Sequence, residues 1–447
     1  METAVRISVD HYNVETGEVL ESHIVKDDNI IKPTHLKELG YLHLEQIEIV
    51  KSVQDFKIKH QSALCNQTEK CPKCGERTQK QGVRKSKFHA ALTDHEVYIQ
   101  RKRCSCGWSS PYTVEGIYGC SLHPDLLEKQ AKQGADNSYR KSSCNLNAES
   151  NIERSVNSIE SIRKNSKKVA KVIGNNKLKS QPIPAKKQAA KQLITTVDGG
   201  HVKSNINGSR SFEAMIAAVY RPENIKQVDK NHNEIIQKTC VASALSDKQK
   251  TIKSLVLNAC RKEGMHSKVT ELTCLADGAN NCWSITNALK PYCKKLTNIL
   301  DWFHITKRFT VIINSIESGF KERLEKVKWH LWHGDYKSGL KKLRCLSDDI
   351  SDEKTLENLD GLYSYIDRNR KYLANYQERK SAGLHFTSTI AESTVDCLIN
   401  TRQKRSQKMQ WSREGAHDIL QIRTSTFSKS WEQDWEDAQG VIYKEAA

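Results

Sequence analysis

The sequence predicts an α/β protein: a mixed β-sheet core carrying an all-helical insertion, with a cysteine-rich β segment and a basic helical segment in front of it. Three observations lead there. After residue 190 the hydrophobic pattern alternates between the strand period of two and the helical period of 3.6. From about residue 302 to 384 only the helical period is found, and residues 65–120 are dense in cysteine and poor in helical pattern.

Each element follows in chain order. Residues 5–24 alternate polar and apolar side chains around "ETGE", which suits two strands joined by a turn. "THLKELGYLHLEQIEIVKSVQDFKIKH" then places leucines and isoleucines three and four apart, a helix. This opening segment, 1–64, says little about function. Residues 65–120 form the cysteine segment, and 121–190 read as short helices ending in "KLKSQPIPAKKQAAKQ", a proline-bearing linker without an apolar face. In 191–447, "LITTVDGG", "SFEAMIAAVY" and "KTCVASAL" read as strands, "DKQKTIKSLVLNACRKEG" as a helix, "ELTCLADG" as a strand, "WSITNALKPYC" as a helix and "KLTNILD" as a strand. An antiparallel hairpin before an α/β unit makes a mixed sheet. A helical insertion occupies about 305–385, and "TIAESTVDCLINTRQ" resumes as a final helical stretch. There is no internal repeat.

Charge narrows the partners. The 71 Lys and Arg exceed the 53 Asp and Glu, for a formal net charge of +18, and such an excess suits a polyanion, nucleic acid before anionic membrane. Between Lys129 and Lys191 there are 15 Lys or Arg against 4 Asp or Glu, so much of the basicity is concentrated there. No run approaches the ~18 apolar residues of a membrane span, and "METAVRISVD" lacks the apolar core of a signal peptide. A cytoplasmic protein with no membrane partner is expected. In that compartment the 14 cysteines are metal ligands or small core residues rather than disulfides.

Spacing separates the two kinds. "CPKCG" supplies Cys71 and Cys74, and "RKRCSCGWSS" supplies Cys104 and Cys106, each pair in a tight glycine-containing turn. Four thiolates at tetrahedral positions are what structural zinc requires, and two such knuckles around a strand-rich spacer make a zinc ribbon. Cys65, Cys120, His89 and His95 remain alternative ligands. In "SYRKSSCNLNAESNIERSVNSIESIRKNSKKVAKVI" a short helix from Ser138, a turn at Asn145 to Asn151 and a helix from about Ser155 suit a helix-turn-helix. Its second helix carries Arg163, Lys164, Lys167 and Lys168 for phosphate contact, although a basic helix is also a common spacer.

Three carboxylates stand out. Asp198 closes "LITTVD" and Asp277 closes "ELTCLAD", each followed by glycine, and Glu392 sits in "TIAESTVDC" with Ile390, Val395 and Leu398 facing the core. Carboxylates at the ends of neighbouring strands converge, and with a helical third they suit paired divalent cations. Taken singly, each has a plainer role as turn former, helix cap or solvent-facing side chain.

"LADGANNCWSI", "ILDWFHITKRF", "WHLWHG" and "AESTVDCLINTRQKRSQKMQWSREGAHDILQIR" resemble the bacterial insertion-sequence transposases of the ISKra type, a DDE group with an RNase H-like core related to the Mutator-like elements. The likeness runs over roughly 193–423 and is looser in front, where that family also has a cysteine knuckle and a helical segment. It implies that Asp198, Asp277 and Glu392 bind Mg²⁺ (or Mn²⁺), with Asp396 one turn along as the alternative third carboxylate. It implies that Asp301 and His304 form a D-x-x-H signature, which we read as a brace beside the metal site. The implied activity is Mg²⁺-dependent cleavage of double-stranded DNA at terminal inverted repeats, followed by strand transfer into target DNA. A homo-oligomer on DNA, nucleoid-associated when bound, is implied with it. Arg402, Lys404, Arg405 and Lys408 are expected to contact phosphate. Two other readings remain: a nuclease of the same fold that cuts without joining, and a zinc-containing DNA-binding regulator with an inactive core.

Overall fold

The computed structural model describes residues 2–65, 69–110, 121–229, 232–388, 396–404 and 409–444. The chain divides into two compact units, Met1–Val172 with Trp435–Ala447, and Ile173–Asp434. No described helix is long and apolar enough to cross a membrane.

The first unit opens with the expected hairpin, β1 (Ala4–Tyr12) antiparallel to β2 (Val19–Asn29), and helix α1 (His43–Cys65). A second antiparallel pair, β3 (Gln79–His89) and β4 (Asp94–Arg103), holds the cysteine knuckles at its open end. Helices α2 (Pro124–Asp136), α3 (Tyr139–Ser150) and the first turns of α4 (Ile159–Leu178) follow, burying Leu126, Leu127, Leu146, Ile162 and Val169. The turn between α3 and α4 falls later than expected. Ser138 caps α3 as anticipated, but the helix runs on to Ser150 and closes at Asn151, whose φ of 51° is left-handed. Asn145 and Asn147 do not break it because their side chains bond tertiary partners instead of their own backbone. Asn145 donates to Gln133 Oε1 at 3.1 Å, and Asn147 Oδ1 accepts from the Arg154 amide and Asn157 Nδ2.

The second unit is built on a five-stranded mixed sheet. Its strands are β5 (Gln192–Lys203), β6 (Ser211–Tyr220), β9 (Thr239–Ser243), β10 (Glu271–Ala276) and β11 (Lys295–Leu300), in spatial order β11-β10-β5-β6-β9. The short pair β7 (Ile225–Asp229) and β8 (His232–Ile235) lies in the connection before β9. β5, β6 and β9 are antiparallel neighbours, whereas β10 and β11 run parallel to β5. Helices α5 (Lys250–Lys262) and α6 (Asn280–Asn287) supply the crossovers, as parallel neighbours require.

The stretch after β11 is helical as expected: α7 (Trp302–Ser315), α8 (Ser318–Trp332), α9 (Tyr336–Ser347), α10 (Glu353–Asn369) and α11 (Tyr376–Ser381). Leu324, Val327, Leu331, Leu343, Leu359 and Ile366 give these helices a core of their own. Tyr376 ties it to the sheet, donating its hydroxyl to the Leu300 carbonyl at 2.8 Å, and Trp302 and Trp332 pack on its ring. A π-helical run at Asp396–Lys404 and helices α12 (Arg413–Phe427) and α13 (Trp431–Lys444) complete the chain.

Candidate functional site

The carboxylates are positioned by strand register. β5 runs five residues past Asp198, so Asp198 ends the parallel pairing rather than the strand. The last pairs of β10 are Ala276 with Val197 on one side and with Leu300 on the other. One residue further on, Asp198 within β5 and Asp277 and Asp301 just past the ends of β10 and β11 therefore stand side by side at strand spacings of ~4.8 Å.

Each is fixed differently. Asp198 Oδ1 accepts from the Gly199 amide at 2.7 Å, and Asp277 Oδ1 accepts from the Ala279 amide at 2.9 Å. Tyr365 of α10 donates to the Asp277 carbonyl at 2.8 Å, and Gly278, at φ 96°, lies against Asn369 and Leu300 where no side chain would fit. The helical insertion thus locks the Asp277 turn. Burial pushes the Asp198 carboxyl upward; the His304 imidazole and the Gly199 amide oppose this, and the charges of Asp277 and Asp301 add to it.

Asp301, 1 % exposed, caps α7 by accepting from the Phe303 amide at 3.1 Å, and accepts from both the amide and the hydroxyl of Ser388. His304 Nε2 stands 3.6 Å from Asp301 Oδ2, a charge contact longer than a hydrogen bond. The Asp301 carboxylate is thus tethered by Ser388 rather than by a hydrogen bond to the imidazole.

Glu392 lies outside the described residues, as do Arg405 and Lys408, and so does the side chain of Asp396. The π-helical run that begins four residues after Glu392 does pack on β5. A Cβ built on Gly200 would stand 2.6 Å from Ile399 Cδ1, so the glycine permits this approach. Gly200→Ala is expected to destabilise this unit by about 1–3 kcal/mol through overpacking. Ile399→Val, which removes the offending methyl, should recover most of that loss in the double variant. Denaturant midpoints of the two single variants and the double read the coupling.

Two residues at the site, Glu213 and Asn281, carry no role that the sequence reveals, although Asn281 lies within "LADGANNCWSI". Glu213 of β6 extends across Gly199, where a side chain would collide with its carboxylate, and it accepts a hydrogen bond from Asn281 at the start of α6. The one sequence signal for Glu213 is that it is a lone carboxylate in the apolar strand "SFEAMIAAVY".

Arg402 departs from expectation. It is 1 % exposed, with its guanidinium 4.8 Å from the centre of the Trp411 ring, so an internal packing role replaces the phosphate contact expected of it. Lys404 is exposed. In the first unit Arg163, Lys164 and Lys168 lie exposed on α4 and Lys167 is half-buried, while Arg163 is engaged by Glu160 at 2.7 Å.

The four cysteines come together in the first unit. Cys71 Sγ lies 3.7 Å from Cys106 Sγ and Cys74 Sγ 3.4 Å from Cys104 Sγ, with all four sulfurs within 4.8 Å of one another. A tetrahedron with Zn–S bonds of ~2.3 Å has edges of ~3.8 Å, so the cluster can hold a zinc ion. Gly75 (φ 77°) and Gly107 (φ 87°) close the knuckles through amides donated to the Cys71 and Cys104 carbonyls. The Cys106 amide, working against burial, takes the Cys104 thiol down to about 6. His89 and His95 are committed elsewhere, to Asp94 at 2.8 Å and to Asp55 at 2.7 Å. Cys120 and the Cys65 side chain fall outside the described residues.

Fold and site together define a mixed α/β protein with a carboxylate row at adjacent strand ends and a separate four-thiol cluster. The chain belongs to a family described as Uncharacterised protein family (UPF0236), which matches residues 121–438. No curated protein matches it. Among solved structures it is similar to a Drosophila P element transposase strand transfer complex, at 9 % identity over 70 % of this chain and 80 % of that one, with a TM-score of 0.24, too low to argue from.

Proposed function

We propose that this chain is a DDE-type DNA transposase with an RNase H-like catalytic core, cleaving DNA at the ends of its element and joining them to target DNA. The observation that carries the proposal is the row of Asp198, Asp277 and Asp301 at one level of three adjacent strands. The order of the mixed sheet and the helical insertion after β11 support it, as do the motifs resembling the ISKra-type transposases.

Asp198 and Asp277, each anchored through a neighbouring amide, lie at adjacent strand positions, and their like charges would favour a bound cation. Asp198 and Asp277, with Glu392 as the proposed third donor, would hold Mg²⁺, which would supply charge stabilisation and water activation for a phosphoryl displacement. Asp301 holds Ser388, four residues ahead of Glu392 in sequence, and would in this reading help position the third donor. The cations of α4 would hold DNA ends through phosphates, with affinity falling as salt rises.

The test is incubation of the full chain with Mg²⁺ and duplexes carrying the DNA that flanks its gene. Cleaved and joined products support the reading. Cleavage without joining would favour a nuclease, and binding without cleavage a regulator. The cysteine cluster is proposed to hold structural zinc. Elemental analysis should find about one zinc per chain and close to none in Cys71→Ser; equal metal in both would reject the site.

A further inference from the structure

Beyond Lys203 the hairpin of β5 and β6 opens into a groove of about 690 Å³, walled by its tip, residues 204–210, and by Lys404 and Gln410. Four lining residues, His201, Lys203, Arg210 and Lys404, carry or can take positive charge, and among the described residues no lining residue is acidic. All four are exposed, and among the described residues none forms an ion pair. By contrast, Lys326 and Arg323 of α8 are matched by carboxylates at 2.9 and 2.7 Å.

The walls are held open by backbone bonds. The Asn205 amide donates to the Trp411 carbonyl at 3.1 Å and the Trp411 amide to the Lys203 carbonyl at 2.9 Å. Buried Arg402 stacks beneath Trp411 and braces the same wall. Asn205, Asn207 and Ser209 add neutral hydrogen-bonding groups along the tip.

We propose that this groove binds the phosphodiester backbone of duplex DNA; the choice of ligand rests on the phosphoryl-transfer reading above. His201 and Lys203 lie three and five residues beyond Asp198 on one strand, about 10 and 17 Å along it. Lysine and arginine supply point and forked donors to phosphate oxygens, and such binding carries no sequence preference.

The test compares full-length proteins binding a 40-base-pair duplex of arbitrary sequence across a salt series. The triple variant Lys203→Gln, Arg210→Gln, Lys404→Gln is expected to weaken binding and to flatten the salt slope by about three units, near 0.9 for each phosphate no longer neutralised. A control, Lys337→Gln, Lys341→Gln, Lys342→Gln, removes three exposed cations from α9 and should leave the slope unchanged. An unchanged slope in the groove variant, or an equal loss in the control, overturns the inference. So does displacement of the DNA by an RNA duplex at lower concentration. The outcomes separate from those of the proposed activity: a chain that never cleaves but loses its salt slope in the groove variant keeps the groove and loses the transposase reading. A groove variant that binds and cleaves as the parent does keeps the activity and loses the groove.

Discussion

Asp277→Asn is expected to lower DNA cleavage by about a thousandfold or more, the equivalent of several kcal/mol of transition-state stabilisation, while leaving DNA affinity nearly unchanged. Asparagine preserves the shape of the turn. Its amide oxygen can still accept from the Ala279 amide, and Tyr365 holds the main-chain carbonyl, which the substitution leaves in place. What disappears is one negative charge from a row of three. Asp198→Asn should behave alike. Glu213→Gln is the contrasting control, because its side-chain oxygen can still accept from Asn281, and a drop of less than about tenfold is expected of a positioning group. Time courses of cleavage on end-bearing DNA, read beside binding isotherms, distinguish the cases. An Asp277→Asn protein cutting at a tenth of the parent rate or faster would remove Asp277 from the site.

The sheet is legible in the sequence because its strands are short apolar runs bounded by polar or turn-forming residues, as β10 is by Asp277-Gly278, and the run and its stop lie together in the chain. The cysteine knuckles are legible for the same reason. Less visible is anything depending on a partner far along the chain. That β5 continues past Asp198 follows from its pairing with β6 through Lys203 and Ser211, a fact of register. Spacing alone pairs Asp301 with His304, three residues away, yet its strongest ties run to Ser388, 87 residues on. A basic local sequence makes Arg402 a surface cation, but its neighbour in space is Trp411. Helical position and charge do not reveal which face another element will cover.

Arg154 has no sequence signal beyond being basic, and its replacement should give the largest loss of stability in the first unit. It follows α3 and is 3 % exposed. Its guanidinium reaches back about sixty residues to the β3–β4 turn, donating to the carbonyls of Ala90 at 2.8 Å, Ala91 at 3.0 Å and Thr93 at 3.1 Å and, through Nε at 3.1 Å, to Asp94. Arg154→Met fills similar volume but strands a carboxylate and unpairs the Ala90 and Ala91 carbonyls. Breaking a buried pair on one side costs about 3–5 kcal/mol, and because the Asp94 side chain is 32 % exposed the lower end, near 3 kcal/mol, is expected. Amide hydrogen exchange in the full chain should show protection lost across β3, β4 and α3, with the five-stranded sheet unaffected. Acid supplies a second readout. Burial opposes the charge of Asp94, but the hydrogen bonds and charges of His89 and Arg154 prevail and hold its carboxyl at about 2. A depressed carboxyl contributes stability that is fully present above its unfolded value near ~3.9 and lost as pH falls through its folded value. The parent should therefore lose protection in this unit between about pH 4 and pH 2, and Arg154→Met, having already lost the tie, should show a shallower acid dependence across the same window. Equal acid profiles for the two proteins would mean that His89 alone holds the Asp94 charge.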